Sequence, residues 1–187
     1  MSRPSPSSGT GGGRAAAALR MVLRAATGPH LVGEPVPVEV ELRNVSDADV
    51  WVVGVLDGSE AGMRFPHFRT AVLHGGRTVY RPVVEDPLVG PLLRSHFRRL
   101  RPGESFDPTA GGGDGCVPLT VFTQFRPMEK GSYRYQLTFS SESVRPEQWF
   151  GRFGQHADEH EALIDLIGRV PRGVLTAMAD VTVSRPL

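Results

Sequence analysis

Apolar and polar side chains exchange strictly along residues 131–140, where Tyr133, Tyr135, Leu137 and Phe139 alternate with Arg134, Gln136, Thr138 and Ser140. Successive side chains of a strand point to opposite faces, so a period of two predicts a half-buried β-strand that sends four large residues into one core. The preceding Pro127-Met128-Glu129-Lys130-Gly131 reads as a turn. A Tyr just inside a strand after such a corner predicts a hydroxyl bonded back to upstream backbone, the arrangement called a tyrosine corner.

The same alternation recurs along the chain. Leu19, Met21, Leu23 and Ala25 predict a first strand, and Val36, Val38, Val40 and Leu42 a second, with Pro37 placing its start at an edge. A turn over Asn44–Asp49 leads into Val50–Leu56, a run apolar on both faces that predicts a strand covered on each side, with Trp51 as a candidate core tryptophan. Two short β-prone segments between Phe68 and Tyr80 flank Gly75-Gly76, which predicts a hairpin. Residues 82–95 have no period and read as an irregular crossover. Residues 96–100 predict a short strand closed by the turn Arg101-Pro102-Gly103-Glu104, 109–115 a flexible Gly-rich loop, and 119–125 a strand pairing with the one after the corner. From Asp158 to Ile167 the period becomes helical, with acids at its start and Gly168 and Pro171 at its stop. Alternation over Ala177–Val183 closes the chain on a last strand.

Composition sharpens this framework. Twenty-two Gly and 16 Pro in 187 residues, with 40% hydrophobic residues, suit one core built from many short strands. The expected fold is therefore all-β, an immunoglobulin-like Greek-key β-sandwich with one short helix near the C-terminus. The expected organisation is a disordered low-complexity tail at 1–17, then a single sandwich over 18–187 with a loop and helix insertion at about 143–170. A formal charge of +1 argues against nucleic acid or an anionic membrane as partner. The single Cys116 rules out an intrachain disulfide, and the absence of a long apolar run argues against export or membrane spanning, so the expected location is cytoplasmic.

Five features bear on candidate chemistry. His156-Ala157-Asp158-Glu159-His160 matches H-x-x-E-H, in which two His one helical turn apart bind zinc and the Glu activates water. A hydrolase of that kind is the alternative function, with His156 and His160 as metal candidates. A third ligand must come from downstream, where Glu161, Asp165 and Asp180 stand in no obvious ligand helix, so no cofactor is expected. The glycines at 111–115 lack the strand-to-helix context of a phosphate loop, and Cys116 has no nucleophile signature around it. Arg94, His96, Arg98, Arg99 and Arg101 form the one dense basic cluster. On a strand, Arg94, His96 and Arg98 share a face that could meet an acidic protein, and the bland reading is an edge protected by charge. Trp149, Phe150 and Phe153 form an aromatic cluster beside Gly151 and Gly154, either a binding patch or a plug at the open end of a sandwich.

Gly33-Glu34-Pro35-Val36, Asn44-Val45-Ser46-Asp47, Leu100-Arg101-Pro102-Gly103-Glu104-Ser105 and Gly131-Ser132-Tyr133 together resemble bacterial immunoglobulin-like sandwich domains. In outline the chain is similar, over about residues 31–141, to the intracellular proteinase inhibitor family of bacilli. That resemblance implies a non-catalytic domain that binds another protein, either an inhibitor of an intracellular protease or an accessory subunit. It carries over no inhibitory residue. The candidate contact residues are Arg94, His96, Arg98, Arg99, Trp149, Phe150 and Phe153.

Overall fold

The computed structural model describes residues 18–82, 89–110 and 115–185. The expected tail at 1–17 lies outside them, as do parts of the 82–95 crossover and of the Gly-rich loop. In chain order the strands are β1 (Leu19–Ala25), β2 (His30–Leu31), β3 (Val38–Asn44), β4 (Val50–Val53), β5 (His67–His74), β6 (Arg77–Tyr80), β7 (Phe97–Leu100), β8 (Ser105–Phe106), β9 (Gly131–Ser140) and β10 (Val174–Ser184). Among the described residues two α-helices, α1 (Thr120–Gln124) and α2 (His160–Gly168), accompany them. The protein is thus mostly β with a short helix near the C-terminus, as the periodicity predicts. No helix among the described residues is long and apolar enough to cross a membrane.

Three sheets form. β3 lies between β1 and β8, β4 pairs with β7, and the largest sheet runs β2-β10-β9-β5-β6. β9 is central: it pairs antiparallel with β5 from His67 opposite Ser140 to His74 opposite Tyr133, and with β10 from Val174 opposite Ser140 to Val183 opposite Gly131. Tyr133, Tyr135, Leu137 and Phe139 are all buried, as alternation requires. They join Leu19, Leu23, Val40 and Leu42 from the β1-β3 sheet in one hydrophobic cluster. Each such burial stabilises by about 1.5–3 kcal/mol relative to exposure.

Polar anchors fix the turns between these strands. Tyr133 donates its hydroxyl to the Glu129 carbonyl at 2.9 Å, so the tyrosine corner is present. Asn44, fully buried, donates its amide to the carbonyls of Ala48 (2.7 Å) and Leu100 (2.9 Å) and accepts from the Ser46 amide at 2.9 Å. A buried amide satisfied on both its nitrogen and its oxygen holds the predicted turn without leaving a polar group orphaned.

Two expectations are corrected. Residues 119–125 do not form a strand: Leu119, Val121, Phe122 and Phe125 are buried at the i, i+3 and i+4 spacing of a helix, and α1 occupies the segment. The Glu60 carboxylate caps it, accepting from the amides of Thr120 (2.9 Å) and Val121 (3.0 Å) and the hydroxyls of Thr120 and Thr70 (each 2.7 Å). Two orphan amides of the first turn are satisfied by a residue sixty positions away, which no local pattern reveals. The partners of β9 are β5 and β10 instead. Nor is Trp51 the core tryptophan, for it is only half-buried while Trp149 has no exposed surface.

Candidate functional site

A second hydrophobic cluster lies apart from the first and is built half by loops: Leu56, Leu92, Trp149 and Val170 pack with Val53 of β4, Phe97 of β7 and Leu163 and Ile167 of α2. Trp149 is its centre. The indole Nε1 donates to the Ser143 carbonyl at 3.1 Å, and the Arg172 guanidinium lies over the ring with its carbon 5.1 Å from the centroid. Arg172 also donates to the carbonyls of Ser141, Ser143 and Ile167, so one cation ties the segment after β9 to the end of α2. Burial lowers the pKa of that guanidinium. Of the two readings of Trp149, a contact residue or a plug, its lack of exposed surface fits the plug.

Arg64 fastens the pole from the other side. Its residue exposure is 2%, and its two terminal nitrogens donate to the carbonyls of Gly90 and Trp149, each at 2.6 Å. The Nε is buried without a partner among the described residues. Burial pushes the guanidinium pKa down to about 10, Asp57 opposing the shift. The loops it joins approach so closely that a Cβ on Gly151 would collide with the Gly90 carbonyl and with the Cα of Pro91 at 2.8 Å. Gln155 adds a further tie, accepting from the Leu92 amide at 2.8 Å and donating to the Leu92 carbonyl at 3.2 Å.

Beside Arg64 opens a cleft of about 360 Å³ between residues 62–67 and 147–152. Phe65 stacks on His67 with centroids 3.9 Å apart and tilts against Trp149 at 5.8 Å. Burial, then the Arg69 charge, lowers the pKa of His67, with Glu142 opposing. The ring is thereby held in its neutral form over a wider pH range than a solvated His.

The predicted basic cluster does not assemble. Arg94 and His96 stand in a 3₁₀ turn ahead of β7, not on a strand, so Arg94, His96 and Arg98 share no strand face. His96 is buried, its Nδ1 accepting from the Leu93 amide at 3.1 Å. Arg98 lies over the Phe106 ring at 5.1 Å, and exposed Arg99 pairs with Asp49. Of this set Arg94, Arg99 and Arg101 are exposed, Arg98 is half-buried and His96 is buried.

The aromatic trio divides as well: Trp149 is core, Phe150 is half-buried, and Phe153 is 60% exposed. Phe150 lines the cleft and stacks on His160 with centroids 4.5 Å apart. The H-x-x-E-H geometry is not realised. His156 has extended backbone (φ −83°, ψ 130°) ahead of a 3₁₀ turn, and α2 begins only at His160, so the two imidazoles are not one α-turn apart. Among the described residues no three His, Cys, Asp or Glu stand where they could hold one metal ion. Cys116 packs half-buried against the second cluster, as a small loop residue.

No family model, curated protein or solved structure matches the chain. The residues that build the pole, Arg64, Gln155 and Arg172, escape a reading of the sequence. Their partners are backbone carbonyls up to 85 positions away, and no side-chain pattern encodes them.

Proposed function

We propose that this protein is a non-catalytic, immunoglobulin-like Greek-key sandwich that binds another protein, and that the loop pole around Trp149 is the contact surface. The observation that carries the reading is the presentation of apolar side chains on pinned loops. Phe153 is 60% exposed and Leu93 37% exposed, and both project from segments tied together by Gln155. Exposed apolar residues on loops held by a rigid scaffold are the usual construction of a recognition surface. Binding then costs little loop ordering, because Arg64 and Trp149 have already fixed the backbone.

A cytoplasmic protease inhibitor and an accessory subunit are the two concrete forms of this reading, and the resemblance in the turn segments supports both. Phe153→Asp separates contact from fold. In a pull-down from the native cell extract, the wild-type protein is expected to retain a partner that Phe153→Asp loses, with unchanged circular dichroism. Met178→Asp, on the solvated face of β10, is the control expected to retain it. Retention by Phe153→Asp together with loss by Met178→Asp would move the contact surface to the sheet and overturn the assignment.

A further inference from the structure

Among the described residues Arg64 is a buried cation without a counter-charge. No carboxylate among the described residues lies within ion-pair distance of it, and Asp57 acts on it only from further away. Two carbonyl acceptors satisfy its terminal nitrogens, yet carbonyls carry no net charge and the Nε still lacks an acceptor. Removing a guanidinium from water without a paired anion is costly. A clamp needing only to bridge two loops would be met more cheaply by a neutral amide. What distinguishes Arg64 is that it forms part of the wall of the 360 Å³ cleft, whose opposite wall carries Arg152.

The remaining charged groups define the ligand. Arg69 reaches the same rim, where a Cβ on Gly62 would stand 3.1 Å from its Nε, while Glu147 supplies the one carboxylate among the described residues of the lining. His67 also lines the cleft. Three cations against one anion favour a negatively charged guest, and Glu147 disfavours a doubly charged one such as a phosphate monoester. Phe65 and Phe150 offer apolar surface in the same cleft. We propose that this cleft binds a carboxylate, held between Arg64 and Arg152, on a ligand whose apolar body lies against Phe65 and Phe150. The carboxylate belongs to a free organic acid or to an acidic residue of a bound protein, and the site stands whether or not the pole recruits a partner.

Titration of the full chain with sodium benzoate, followed by amide chemical shifts, tests the site, with sodium chloride at equal ionic strength as control. The second arm is a blocked Gly-Glu-Gly tripeptide. Saturable shifts confined to residues 62–67 and 147–152 are expected with at least one probe and not with chloride. Saturation by benzoate assigns the free acid; saturation by the tripeptide alone assigns the protein-borne carboxylate. Arg152→Gln, at a side chain that makes no hydrogen bond or ion pair among the described residues, is expected to raise Kd about three- to fivefold, the scale of one exposed ion pair, and Glu147→Gln to lower it. Shifts that grow linearly, that chloride reproduces, or that neither variant alters would overturn the proposal.

Discussion

The two hydrophobic clusters of this protein are held together in different ways. The larger one is made mainly by regular strands, so most of its residues repeat with a period of two and their polar backbone is consumed by ladders. At the pole the packing is comparable, with Trp149, Leu92 and Leu163 all without exposed surface, but half of the residues that carry it stand in loops. Their backbone carbonyls are met by long side chains, Arg64, Arg172 and Gln155. A ladder distributes stability over many equivalent bonds, whereas the pole concentrates it in a few irreplaceable side chains. Loss of one residue is therefore more local in its effect, and more complete, at the pole.

Trp149→Ala is the strongest way to break the contrast. It removes the largest side chain of the second cluster and is expected to cost about 3–5 kcal/mol. Hydrogen exchange should accelerate in residues 57–66 and 145–156 while the amides of β9 and β10 keep their protection. Uniform acceleration would mean that the two clusters open as one unit. Glu60→Ala comes next, at about 2–3 kcal/mol by urea titration, because a charged acceptor of four hydrogen bonds is withdrawn from α1 and β5. Tyr133→Phe removes the bond to the Glu129 carbonyl and is expected to cost about 1 kcal/mol, since Glu129 is exposed and water can replace the donor. Gln136→Ala, on the opposite face of the same strand, should stay within about 0.5 kcal/mol. Reversal of that last pair would mean a one-residue slip of register.

The smallest effect is a pH dependence confined to the pole. With its folded pKa lowered by burial and by Arg69, His67 is harder to protonate in the native state than in the unfolded chain, whose ordinary value is 6.5. Stability from this group is complete above 6.5 and is lost as pH falls through that value towards the lowered one, because the unfolded chain binds the proton first. Melting temperatures of wild type and His67→Gln between pH 7.5 and pH 5 should show the steeper acid loss in wild type. Parallel curves would remove His67 from the account.

How much was legible in the sequence follows the same division. β1, β3, β9, β10 and the hairpin of β5 and β6 are written in alternation, and Tyr133 and the Asn44 turn in local chemistry. α2 is announced by its period and its acids. What local chemistry cannot show is a contact made across the chain. α1 was hidden because its cap comes from Glu60, and the basic residues at 94–99 read as one face until a 3₁₀ turn carried His96 inward. His156 and His160 fit a zinc motif in spacing alone, since the helix that would align them starts too late. Arg64 carried no signal beyond being an arginine among small and aromatic residues.

The strand β4 leaves a mark on how this chain can change. Val50, Val52 and Val55 belong to the framework cluster and Val53 and Leu56 to the pole, while β7 likewise gives Leu100 to one and Phe97 to the other. This ribbon is a partition wall finished on both sides. Residues 143–170 are consequently no removable ornament. Excising them would strip Trp149, Leu163, Ile167 and Val170 from the wall and leave Val53, Leu56 and Phe97 facing water. A shortened descendant of this chain must therefore repaint that side of the partition with polar residues at the moment it loses the segment. Shortening and resurfacing are one evolutionary step here, and a designer trimming the molecule meets the same constraint.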